Sequence, residues 1–155
     1  MKHDKKISAT QLIEFLGGMP YSTFQSWIHG EIFGVKYISP GRGKHREFGF
    51  EDVMAAKIVQ GILKHGNSLS RAKSLCDAFR KNIKRGKKIV NDDDQGLCLI
   101  LKANDRSSFM YPQSIKELID NMGSHGTVIP IYKIYEEVEQ FFEGLQEAEK
   151  EPALE

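Results

Sequence analysis

The stretch Gly17-Gly18-Met19-Pro20-Tyr21-Ser22-Thr23-Phe24-Gln25-Ser26-Trp27-Ile28-His29-Gly30 decides how this chain is read. Two glycines permit positive φ, and Pro20 suits the first turn of a helix, so one helix should stop here and another begin. In the second helix Phe24, Trp27 and Ile28 fall at i, i+3 and i+4, the spacing of an anchoring face. Its other face shows Tyr21, Ser22, Gln25, Ser26 and His29, and each can hydrogen-bond. Trp27 lies on the apolar stripe and is assigned to the core rather than to a stacking platform.

Upstream, Ser8-Ala9-Thr10-Gln11 fits the capping box, in which a Ser and a Gln three residues later satisfy orphan amides at a helix start. Leu12, Ile13, Phe15 and Leu16 then give a short helix one apolar face. Two short helices joined by a tight glycine turn make a helix-turn-helix, whose second helix is shaped to enter a DNA major groove.

Downstream, Gly34-Val35-Lys36-Tyr37-Ile38 reads as a short strand and Glu47-Phe48-Gly49-Phe50 as its partner. The intervening Ser39-Pro40-Gly41-Arg42-Gly43-Lys44-His45-Arg46 reads as a hairpin tip, or wing. Arg42, Lys44, His45 and Arg46 would meet the phosphate backbone or minor groove, and Lys36 on the strand points either way. A solvated, mobile hairpin is the competing reading. The tip is not a nucleotide cradle, because Gly41-Arg42-Gly43 opens no helix and lacks the Gly-Lys-Ser/Thr ending of a P-loop. Two longer helices follow. The first starts near Glu51-Asp52, carries Val53, Ala56, Val59, Ile62 and Leu63, and stops at His65-Gly66. The second is capped by Ser68 and carries Leu69, Ala72, Leu75, Cys76, Phe79 and Ile83 up to Lys84-Arg85-Gly86.

This order, helix, helix, basic hairpin, helix, helix, resembles the DNA-binding domain of the MerR family of winged helix-turn-helix regulators. Arg46-Glu47-Phe48-Gly49-Phe50-Glu51-Asp52-Val53 followed by Gly66-Asn67-Ser68-Leu69 is similar to that family's R-x-Y/F-x-x-x-D-V/L … G-x-S-L signature. Ser22-Thr23-Phe24-Gln25-Ser26-Trp27-Ile28-His29-Gly30 also resembles the related excisionase-type recognition helix. The likeness covers residues 7 to 80. It implies a homodimer that reads two half-sites related by two-fold symmetry and distorts promoter DNA. Where the family often has Arg, this chain has Gln25, which pairs bidentately with adenine, so its base preference should differ. Ser26-Trp27 stands where a Tyr pair is common.

Charge separates the chain into two parts. Residues 1–90 hold 17 Lys and Arg against 7 Asp and Glu, while residues 91–155 hold 5 against 14. A basic module facing a polyanion and an acidic module facing something else is the expected organisation. The partition is a winged helix-turn-helix domain at 1–86 and an acidic dimerisation or effector module at 87–155. The basic run Arg80, Lys81, Lys84, Arg85, Lys87 and Lys88 is read as a solvated helix end, with flanking phosphate contact as the rarer outcome.

In the acidic part, Asn91-Asp92-Asp93-Asp94-Gln95-Gly96 signals a turn and Leu97-Cys98-Leu99-Ile100-Leu101 a buried strand. A short strand near Ser108-Phe109-Met110-Tyr111 and another near Thr127-Val128-Ile129 flank a helix that begins at Pro112 and closes at Gly123. From Pro130 a long amphipathic helix carries Ile131, Ile134, Val138, Phe141, Phe142 and Leu145, with Glu136, Glu137, Glu139, Glu143 and Glu147 outside. It should cover the small sheet or pair with a second copy. The last residues, 148–155, are expected to fray. The fold class is therefore α+β: an N-terminal winged helix-turn-helix of four helices and a β-hairpin, then a small α/β module.

Several classes drop out. An EF-hand fitted to the Asp run puts Lys102 where the bidentate Glu belongs. His3, His29, His45, His65 and His125 show no metal-ligand spacing, so no metal site or cofactor is expected. Cys76 and Cys98 read as small buried hydrophobes rather than a disulfide framework or ligands. Ser124-His125 lacks a nucleophile-elbow setting, and no pattern supports catalysis. No signal-like or membrane-spanning run is present, so a cytoplasmic protein is expected. The expected function is sequence-specific binding of double-stranded DNA in transcription regulation, with RNA polymerase or another regulator as a further partner. The rivals are an excisionase-like DNA-bending protein and an interaction adaptor that has lost DNA binding.

Overall fold

Ser8 opens the first helix as its sequence asks. Its hydroxyl accepts from the Gln11 amide at 3.1 Å, and the Gln11 side chain accepts from the Ser8 amide at 2.9 Å. The computed structural model describes residues 3–34, 37–38, 45–102 and 106–150. Among them the chain is α+β, with six helices and two small antiparallel sheets. It divides into two compact units, Met1–Lys57 with Glu136–Glu155, and Ile58–Tyr135. The expected domain boundary at 86/87 falls inside the second of these.

In the first unit, β1 (Ile7–Ser8) leads into α1 (Ala9–Phe15). Gly17 and Gly18 then take φ of 95° and 86°, a reversal closed to most side chains, before α2 (Tyr21–His29). β2 (Glu47–Phe48) precedes α3 (Phe50–Lys64), whose first two turns belong to this unit. The C-terminal part of α6 (Ile131–Lys150) completes it. Leu12, Phe24, Ile28, Ile32 and Phe48 are fully enclosed. Removing a side chain such as Phe24 from water contributes on the order of 1.5–3 kcal/mol. Around Phe48 the rings interlock: Phe33 at 5.0 Å edge-on, Phe24 at 5.6 Å edge-on, and Tyr37 stacked at 5.2 Å. Against α6, Phe15 stacks on Phe141 at 4.4 Å, and Lys57 pairs with Glu137.

Among the described residues β2 finds a partner other than the expected one: Glu47–Phe48 pairs antiparallel with Ile7–Ser8, while Gly34, Tyr37 and Ile38 lie outside any strand. Tyr37 and Ile38 lie in a turn, with the Tyr37 amide bonded to the Gly34 carbonyl at 3.2 Å. The carbonyls that a ladder would use are taken by a side chain: Arg46 Nε donates to the Tyr37 carbonyl at 2.6 Å and Nη2 to that of Ile38 at 3.2 Å. Phe50, expected at the end of the strand, is instead the first residue of α3, because Asp52 Oδ2 accepts from the Gly49 amide at 2.9 Å and opens the helix there. Tyr37 donates its hydroxyl to the same carboxylate oxygen at 2.6 Å.

The second unit holds the rest of α3, then α4 (Leu69–Lys84), β3 (Cys98–Leu101), β4 (Ser107–Met110), α5 (Ile115–Met122) and β5 (Thr127–Pro130). β3 is the central strand of the order β4-β3-β5, antiparallel to both neighbours, with Leu99 opposite Phe109 and Ile129. All four of its residues are buried, as a continuous apolar run requires. Ser68 caps α4 through the Arg71 amide. α5 begins at Ile115, not at Pro112, because the Ser114 hydroxyl accepts from the Glu117 amide at 3.0 Å. The Asp run is a turn: Asn91 Oδ1 accepts from the amides of Asp93 and Gln95, and Lys88 pairs with Asp92 at 2.5 Å.

Candidate functional site

The surface of α2 follows from its sequence spacing. Phe24, Trp27 and Ile28 are buried, with Trp27 only 4 % exposed, and they fix the helix by one side. Tyr21, Ser22, Ser26 and His29 are exposed, and Gln25 is half-buried. The five are thus brought onto the solvent side of one helix. Tyr21 is 55 % exposed, unusual for so large a ring. Ser26 donates its hydroxyl to the Ser22 carbonyl at 3.1 Å, which leaves its oxygen as an acceptor. The side chains of Gln25 and His29 have no hydrogen-bond partner among the described residues. The helix starts at Pro20, which supplies no capping oxygen. The face carries no Lys, Arg, Asp or Glu, so its specificity is that of neutral donors and acceptors plus one imidazole.

The cationic residues do not share one environment. His45 is exposed. Arg46 is half-buried, and its guanidinium braces residues 37 and 38, as described above. Lys36, Arg42 and Lys44 lie outside the described residues. In the second unit, half of the basic run is engaged locally. Arg80 pairs with Asp77, Lys87 sits over the Tyr111 ring at 5.5 Å, and Lys88 pairs with Asp92. The hydrogen bond and charge of Asp92 push the Lys88 pKa up, and Lys88 in turn holds the Asp92 carboxyl down. Lys81, Lys84 and Arg85 are exposed.

Both cysteines are reduced and buried. Burial pushes the Cys98 thiol up from its ordinary value, the opposite of an activated nucleophile. An open cleft of about 350 Å³ in the second unit is lined, among the described residues, by Lys102, Arg106, Asn121, Ser124 and His125. Arg71 stands by it, donating to the Lys102 and Arg106 carbonyls at 3.5 and 3.2 Å.

One group of potential metal ligands, missed by sequence reasoning, occurs among the described residues: His3, Glu139 and Glu143. The Glu-x-x-x-Glu spacing on α6 was the only available signal, since His3 lies 136 positions away from Glu139. No protein-family model matches the chain, and no curated protein matches it.

Proposed function

We propose that this chain is a sequence-specific double-stranded-DNA-binding transcriptional regulator of the winged helix-turn-helix kind that it resembles. In this reading α2 enters a major groove, and Tyr21, Ser22, Gln25, Ser26 and His29 meet base edges and flanking phosphates. Residues 39–46, with Arg42, Lys44 and His45, grip the backbone beside it, and Arg46 supports that segment from its base. The protein works in the cytoplasm as a homodimer, and its acidic part serves dimerisation or effector binding. The cleft beside Lys102 and Arg106 suits an anionic effector.

The observation that carries the reading is the division of α2. Three large apolar residues anchor the helix, while Tyr21, Ser22, Ser26 and His29 stand in solvent with the half-buried Gln25 beside them. A helix on a protein surface usually carries charge outward for solubility. A neutral, donor- and acceptor-rich face suits base edges, with charge supplied from neighbouring segments.

Fluorescence anisotropy with random duplex DNA, read at about 50 and 200 mM salt, tests it. Binding that weakens steeply with salt supports the proposal. No binding even at the lower salt identifies an interaction adaptor instead. Selection of bound genomic fragments then separates promoter spacers from recombination sites, the target of an excisionase-like protein. Arg42→Ala with Lys44→Ala should weaken all DNA about equally, whereas Gln25→Ala should change which sequences are preferred.

A further inference from the structure

On α6, Glu139 and Glu143 stand one turn apart on the same face, where two like charges repel. Two other glutamates of α6 are ion-paired, Glu137 with Lys57 and Glu149 with Lys5. Glu139 and Glu143 have no lysine or arginine partner among the described residues. They converge on His3. One ligand atom from each of the three lies within 4.8 Å of the others. Yet no hydrogen bond or ion pair joins any two of them among the described residues.

The imidazole is held in place. It lies parallel to the Phe50 ring at 5.2 Å and 9°, and tilts against Phe142 at 5.7 Å. Its Nδ1 is 3.5 Å from the Gln146 side-chain nitrogen. A ring fixed by two aromatic neighbours loses little freedom on taking a ligand. A metal bonded to nitrogen and oxygen at about 2.0–2.2 Å keeps its ligand atoms about 3–4 Å apart. The observed separation therefore closes onto an ion with small side-chain movements.

We propose that His3, Glu139 and Glu143 form a binding site for a divalent transition metal of the zinc class. One imidazole and two carboxylates suit zinc or a similar borderline ion. The nitrogen ligand disfavours calcium and magnesium, and the lack of thiolate disfavours copper(I). Remaining coordination positions face water. The bound ion neutralises the Glu139–Glu143 repulsion and ties the N-terminal segment to α6, so its first effect is on stability. The proposal is independent of DNA binding.

The test is isothermal titration calorimetry of the untagged full chain with zinc chloride after chelator treatment, beside His3→Ala and the near-isosteric Glu139→Gln/Glu143→Gln. Glu143 is exposed and Glu139 half-buried, and far-ultraviolet circular dichroism confirms that each variant is folded. One saturable equivalent in the native chain, weakened at least about 100-fold in the double variant, supports the site. So does a zinc-dependent rise in melting temperature that both variants lose. Cobalt(II) substitution identifies the ligand atoms: an absorption spectrum without a thiolate charge-transfer band is expected. Equal zinc affinity in native chain and variants, no binding at 100 µM zinc (about the weakest useful structural affinity), or a thiolate band from Cys76 or Cys98 would each overturn it.

Discussion

α2 and α5 are both amphipathic helices of two to three turns, and they solve opposite problems. α2 buries Phe24, Trp27 and Ile28 and shows neutral polar groups to solvent. α5 buries no residue, and leaves Ile115 76 % and Ile119 52 % exposed. An amphipathic pattern therefore says little by itself about how firmly a helix is held. α2 is fixed by packing and can present side chains in a defined geometry. α5 is defined mainly by its caps, Ser114 at one end and Gly123 at the other.

Substitutions at the two helices sharpen this contrast. The largest effect is expected from Phe24→Ala, which should lower unfolding free energy in urea by about 3–5 kcal/mol, because Phe24 is completely enclosed among rings. A loss below about 1 kcal/mol would show α2 to be as loosely held as α5. Asp52→Ala comes next, at about 1–3 kcal/mol, since it strands the Tyr37 hydroxyl and the Gly49 amide that share its carboxylate. Removing the caps, Ser8→Ala in one unit and Ser114→Ala in the other, should cost about 1 kcal/mol each. For Ser114 the loss should appear first as faster amide exchange confined to α5, because little packing supports that helix. Smallest of all, Ile115→Ser should change stability by no more than about 0.5 kcal/mol. A larger loss, dependent on protein concentration, would mean that α5 is covered by a partner in solution.

The residues that carry the family resemblance prove to have intramolecular tasks. Arg46 braces two carbonyls, Phe48 centres a ring cluster, and Asp52 opens α3 while holding Tyr37. Further on, Gly66 takes φ of 82°, Asn67 donates to the Ile62 carbonyl, and Ser68 caps α4. Such a signature reports a scaffold, and the function must be argued from the surface that the scaffold exposes.

Local chemistry was the readable part of the sequence. The capping box at Ser8, the burial of Trp27, the turn at the Asp run and the buried strand at Cys98–Leu101 depend on neighbours a few positions apart, and they stand as expected. What depended on distant partners was hidden. A two-residue ladder has no alternation to betray its mate, so proximity suggested residues 34–38 for β2 where the structure uses Ile7–Ser8. The carbonyls that Arg46 would claim could not be inferred from a run of cations. The approach of His3 to α6 joins opposite ends of the chain. For the candidate site, periodicity alone separated the anchoring from the exposed residues of α2, while Lys36 and the tip residues Arg42 and Lys44 lie outside the described residues.

Arg46 has a consequence for experiment. Its forked head reaches two oxygens at once, a geometry that a lysine ammonium does not reproduce. Replacing it with lysine leaves the electrical balance of the basic region untouched and removes only the clasp. At this one residue, then, chemists can separate what a positive region contributes by its field from what it contributes by its architecture.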